Sequence, residues 1–197
     1  MNNNQDEHRF FTEVLQIKTM KWLQDNACTN HSILLQNLPF IDVARNKVTH
    51  HKADIALIDG DKLHSYHVVP DQADGVGDQL LETLELASKV FDSTTVVITD
   101  INRPNALILI ADNFGVICIN ESGEVKEARK PSQNNNDTKA IANLLTKSDL
   151  LKVYGDKGLK GITGHAKPIL LEFAADYLTT DEAKQAAIAS LTARHKE

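Results

Sequence analysis

Residues 53–69 read ADIALIDGDKLHSYHVV, and the fold of the chain turns on how they pair. Apolar and polar residues mix at a period near two on either side of Asp59-Gly60, which predicts a β-hairpin with a tight turn there. With Ile58 opposite Asp61, Asp54 stands opposite Ser65, Lys52 opposite His67 and His50 opposite Val69. Alternation then puts Asp54, His67 and Val69 on one face of the sheet. His50 joins them if the first strand extends back through His50-His51-Lys52. His64 points to the other face.

Around this hairpin the chain sets its own bounds. A length of 197 residues suits one domain, or one domain with a helical appendage. Apolar content of 42% is enough for a core, and no apolar run approaches the roughly 18 residues that span a bilayer. The first ten residues, MNNNQDEHRF, lack a basic-then-apolar export pattern and point to a cytoplasmic protein. Cys28 and Cys118 have no metal-ligand or disulfide-framework spacing and read as buried thiols.

The net charge of −6 argues against a surface that coats nucleic acid. That charge is uneven. Lys139, Lys147, Lys152, Lys157, Lys160 and Lys167 face only Asp149 and Asp156 between residues 139 and 170, so an acidic body carries a basic segment.

In chain order, residues 1–7 read as a disordered leader. Apolar residues from Phe10 to Leu23 recur at helical spacing and predict a first helix over His8–Asn26, with Trp22 in the core. A strand is expected from Ser32, ended by Pro39 near Phe40, with a second extended piece over Ile41–Val48. Past the hairpin, residues 70–77 form a polar connection. A helix over Asp78–Phe91 and a β-branched buried strand over Thr94–Thr99 follow. Pro104 starts a short helix to about Asp112, and a second hairpin spans Phe114–Arg129. Residues 131–137, PSQNNND, read as a linker. Asp137 or Thr138 caps a helix running to about Tyr154, Pro168 opens another through Leu178, and Thr179 or Thr180 caps a last one to about Ala193. The expected domains are an α/β core over 8–130 and a helical extension over 138–197.

The order helix, three strands, helix, strand and the acid at Asp54 resemble the αβββαβ core of the PD-(D/E)XK nuclease-like (restriction-endonuclease-like) superfamily. The succession of residues 53–69, SKVFDSTTVVIT (88–99), NFGVICINESGEVKEARKP (113–131), LLTKSDLLKVYGDKG (144–158) and KGITGHAKPILLEFAADYL (160–178) is similar to a bacterial and phage branch of it, over roughly residues 30 to 195. The resemblance implies a nuclease fold whose third strand reads tyrosine, acid, hydrophobic, lysine. Here Tyr66 is kept, but the acid and lysine positions hold His67 and Val69. The family's glutamine near the start of the next helix falls, on this reading, at Thr83.

The chemistry follows from those departures. Phosphodiester hydrolysis uses a cation to polarise the phosphoryl oxygen and to activate water. Magnesium wants oxygen ligands, usually one or two carboxylates, and Asp54 alone supplies little. Losing a charge stabiliser such as the lysine costs about 3–4 kcal/mol of barrier. Sequence therefore predicts a catalytically inactive nuclease-like protein that needs no cofactor and binds nucleic acid or a protein partner, away from membranes. The alternative is a divergent nuclease using Asp54 and His67. With His50 these would form an imidazole–carboxylate site for zinc, manganese or nickel rather than magnesium. Asp71, Asp74 and Asp78 are possible migrated ligands, and Glu13 is another from the first helix. Leu150–Leu171 weakly resembles the two-helix DNA-binding SAP module, which makes Lys157, Lys160 and Lys167 candidate phosphate contacts.

Overall fold

The computed structural model describes residues 3–44, 47–69 and 77–196, with only the backbone of 3–10, 42–44 and 47–48. Helix α1 (Asn3–Asn26) precedes a three-strand antiparallel meander, β1 (Ile33–Ala44), β2 (Lys47–Asp59) and β3 (Lys62–Val68). Helix α2 (Asp78–Val90) crosses over to β4 (Ser93–Thr99), which lies parallel to β3. A 3-10 turn and α3 (Arg103–Leu109) lead to β5 (Gly115–Ile119), parallel to β4, and β6 (Val125–Arg129) returns antiparallel. Five short or medium helices complete the chain: α4 (Thr138–Ala142), α5 (Lys147–Asp156), α6 (Lys167–Glu172), α7 (Ala174–Tyr177) and α8 (Thr180–His195). Among the described residues this is a mixed α/β fold built on one six-stranded sheet, ordered β1-β2-β3-β4-β5-β6.

The hairpin forms, but two residues out of the expected register. Ile58 pairs with Leu63 and Asp59 with Lys62, so the two turn residues are Gly60-Asp61. Gly60 has φ +61, the left-handed region a tight hairpin turn needs at its first central position. A slip of two leaves the facing of the paired residues, Ile55–Asp59 and Lys62–Tyr66, as expected, because the side-chain period is two.

Strand β1 runs unbroken through Pro39 instead of stopping there. It is an edge strand, where a residue without an N–H costs no ladder bond. The expected leader is helical from Asn3 onward, as a continuation of α1, and residues 1–2 lie outside the described region. The expected polar connection at 70–77 lies outside it too, except for Gly77.

One face of the sheet packs on α1, with Leu15 against Val68, Val97, Ile117 and Ile119. The other face carries α2, α3 and the C-terminal helices. Ala56, Ile58 and Leu63 share a cluster with Phe91, Leu145, Tyr154 and Leu191, so the extension completes the core of the sheet. The 131–137 segment is a tied-down strap. Asn134 is buried, its backbone N–H donates to Asp92 and its side chain donates to Phe91 O.

The expected single helix to Tyr154 is two. Asp137 caps α4, and Thr146 with Asp149 forms a capping box that starts α5 afresh. Likewise the expected helix through Leu178 breaks into α6 and α7. Of the two candidate caps Thr179 is the one used, and with Glu182 it forms the capping box that opens α8. A buried ion pair, Lys184 Nζ to Asp92 Oδ1 at 2.5 Å, fastens α8 to the sheet, and Asp92 Oδ2 accepts the Leu63 N–H.

Candidate functional site

Strands β2 and β3 pair from the turn out to Ile55↔Tyr66. Asp54 is the next residue of β2, and its carboxylate carries the pairing one step further: Oδ2 accepts the backbone N–H of Val68 at 2.8 Å. Oδ1 accepts from Gln16 Nε2 of α1 at 3.3 Å and pairs with Lys52 Nζ at 3.1 Å. Lys52 is held from the other side by Asn37 Oδ1, also at 3.1 Å.

Asn37 lies between the pairs Gln36↔Ile55 and Leu38↔Ala53 with φ +51, a conformation uncommon outside glycine. The facing of the β1–β2 ribbon changes there. Nearer the turn, Ala56 and Ile58 join the main cluster; beyond Asn37, Ala53, Leu38 and Phe40 do. This change puts His51, rather than His50, toward α2.

A cleft of about 550 Å³ opens where these elements meet. Asp54, His67, Lys52 and both His50 and His51 line it from the strands, and Gln79 and Thr83 line it from α2. His50 sits exposed on the rim. His67 is only 2% exposed and stands edge-on to Phe40. Burial pushes its pKa down to about 4 against the opposing pull of Asp54, so the ring is neutral at pH 7. His51 stacks on Phe40, and its Nδ1 lies 3.0 Å from Thr83 Oγ1. The Thr83 hydroxyl donates its single proton to Gln79 O at 2.8 Å. The contact between His51 Nδ1 and Thr83 Oγ1 ties the imidazole to α2 and leaves Nε2 turned away from that bond. The Nε2 atoms of His51 and His67 are both buried, and neither has a partner among the described residues.

The structure thus brings Asp54 and His67 to one cleft with His50 at its rim, and adds His51, Lys52 and Gln79 to the lining; Gln16 and Asn37 hold Asp54 and Lys52 from outside it. Gln79 puts an amide in the first turn of α2, one turn before Thr83. Glu13 is exposed on α1, and Gln16 is the α1 side chain that reaches Asp54. Asp78 lies exposed in the first turn of α2, and Asp71 and Asp74 fall outside the described residues.

A divalent cation finds little here. Both Asp54 oxygens are engaged, and among the described residues no three His, Cys, Asp or Glu side chains form a group that could hold a metal. The described donor set does not fit a magnesium centre, nor does it form the imidazole–carboxylate centre of Asp54, His67 and His50.

Half of the basic segment's lysines, Lys139, Lys157 and Lys167, are used within the fold. Lys157 pairs with Glu182, whose pKa is held down to about 2 chiefly by that bond. Lys167 is half-buried and donates to Asn143 O at 2.8 Å, and burial lowers its pKa. Lys160 is exposed.

No helix among the described residues is long and apolar enough to cross a membrane. No family model matches the chain, and no curated protein does. Solved structures similar to it include SPO1766, a protein of unknown function from Silicibacter pomeroyi, at 11% identity over 80% of this chain and 96% of that one, with a TM-score of 0.48. AF1548, also of unknown function, is similar at 11% identity over 93% of this chain and 99% of that one, with a TM-score of 0.32. At this identity and these scores neither likeness bears on function.

Proposed function

We propose that this chain is a catalytically inactive relative of the PD-(D/E)XK nucleases that works by binding, with the cleft at Asp54 as its recognition site for nucleic acid or a protein partner. The observation that carries this reading is the state of the Asp54 carboxylate. Its oxygens complete the β2–β3 ladder at Val68 and hold Lys52 and Gln16, so it acts as a structural anion. The order helix, antiparallel meander, crossover helix and parallel strand supports the nuclease-like reading of the fold. His67 and Val69, at the acid and lysine positions, support the loss of hydrolysis.

One observation favours a second reading. Lys52 brings an ammonium to Asp54 from β2, where it could replace the lysine missing from β3. A divergent metal-dependent nuclease would use it. Incubating plasmid, single-stranded DNA and RNA with the protein and magnesium, manganese or zinc separates the two, with Lys52→Met and Asp54→Ala as controls. The binding reading predicts no cutting under any metal. Cutting that both substitutions abolish would establish the second reading in its place.

A further inference from the structure

Two features of the cleft are unexplained by a merely structural role. Buried polar atoms are almost always hydrogen-bonded, and each exception calls for an occupant. Here two imidazole nitrogens in one cleft are without partners among the described residues, one of them on a fully buried ring. The other, His51 Nε2, sits on a ring tied to α2 through Thr83, so a polar group is needed to satisfy it. At the rim, Lys52 is the reverse case. Its ammonium has three donors, and the contacts seen are to Asp54 and Asn37. With more than half of its side chain exposed, it has a donor left for an anion.

The first turn of α2, a 13-residue helix, lines the same cleft. Its N-cap is Gly77, with no side-chain cap among the described residues, and the first-turn residues Gln79 and Leu80 bring the positive end of the helix dipole to the cleft wall. Asp78 in that turn offsets part of this field, and Asp54 offsets part of the charge on Lys52.

From this pairing of a cationic rim with an unpartnered imidazole floor, we propose that the cleft binds a sugar phosphate, with the phosphate at Lys52 and the start of α2 and a hydroxyl hydrogen-bonded to His51 Nε2. The inference rests on the reading that the cleft binds and does not cleave. The same chemistry is offered by a free nucleoside monophosphate and by the phosphorylated end of a nucleic-acid strand. No bond is made or broken.

The test is calorimetric titration of the full chain, in EDTA, with a nucleoside 5′-monophosphate, the matching nucleoside, inorganic phosphate, and 5′-phosphorylated and 5′-hydroxyl oligonucleotides. The proposal predicts half-saturation by the monophosphate below roughly 1 mM, about tenfold weakening in Lys52→Met, and no binding of the bare nucleoside. Tighter binding of the phosphorylated oligonucleotide than of the monophosphate identifies a strand end as the source; the reverse identifies the free nucleotide.

Long-range ¹H–¹⁵N spectra read the histidines in the unmodified protein, independently of any folding defect. The His51 Nε2 signal should move on adding the monophosphate. No binding by any phosphate compound overturns the proposal, as does binding that Lys52→Met leaves unchanged, or a His51 signal that stays still at saturation. Strand cleavage on restoring magnesium would instead overturn the binding-only reading while leaving phosphate recognition standing, so the two failures are distinguishable.

Discussion

Replacing His67 by asparagine should take away an acid weakness built into the sheet. In the folded chain His67 is fully buried and its pKa is about 4, whereas an unfolded histidine titrates at 6.5. Above 6.5 both states hold a neutral ring and the residue costs nothing through ionisation. As pH falls below 6.5 the unfolded chain takes up a proton that the folded chain refuses, and stability declines by about 1.4 kcal/mol per pH unit. The loss is about 1.4 kcal/mol at pH 5.5, about 2.5 kcal/mol at pH 4.5, and levels off below the folded pKa. His64 is also pushed down by burial and adds to the slope in both proteins, so the comparison with the variant isolates His67. The depressed acids Asp149 and Glu182 start to cost stability only below their unfolded values of 3.8 and 4.5. Urea unfolding at intervals from pH 7.5 to 4.5 measures this, and His67→Asn should flatten the wild-type decline by about 2.5 kcal/mol at the acid end. Parallel curves for the two proteins would refute the buried, neutral ring on which the description of the cleft depends.

Other outcomes follow from the same geometry. Asp92→Asn or Lys184→Met should each destabilise the fold by roughly 3–5 kcal/mol in urea unfolding, because each strands a buried charge; the double substitution should recover part of that loss. Gly115→Ala would put a methyl 2.6 Å from Thr95 Oγ1 and 2.8 Å from Pro131 Cδ, and overpacking of this kind costs roughly 1–3 kcal/mol in thermal or urea unfolding. Lys167→Glu should lower the melting temperature, since its ammonium satisfies the Asn143 carbonyl from a half-buried position, while Lys160→Glu should leave it unchanged. If gel shifts instead show Lys160→Glu weakening nucleic-acid binding more than Lys52→Met, the recognition surface lies on the helical extension.

What could be read from the sequence was whatever has a short-range cause. The hairpin was legible because Gly60 sits between two alternating runs. Its register was missed by two, since Asp59-Gly60 and Gly60-Asp61 are equally good turn pairs on paper, yet Asp54 and His67 still line one cleft. The restart of the helix at Thr146 was visible in Thr146-Lys147-Ser148-Asp149, a capping-box pattern that the wider apolar periodicity obscured. The choice of His51 over His50 was not legible. It is decided by Asn37 on the neighbouring strand, whose left-handed backbone changes which residues of β2 face α2. Lys52, Gln16 and Gln79 were missed for a related reason: Lys52 and Gln79 reach the cleft, and Gln16 reaches Asp54, through packing between elements, and no spacing in the sequence marks them.

The central claim is that the Asp54 carboxylate is committed to the fold and is not a cation ligand. Titrating the wild-type protein and Asp54→Asn with manganese, followed by the paramagnetic resonance of the free ion, tests it most directly. The account predicts that manganese up to about 1 mM binds both proteins alike, with no site that depends on Asp54. A stoichiometric manganese site in the wild type that disappears in Asp54→Asn would contradict it and make the metal-dependent nuclease the better reading.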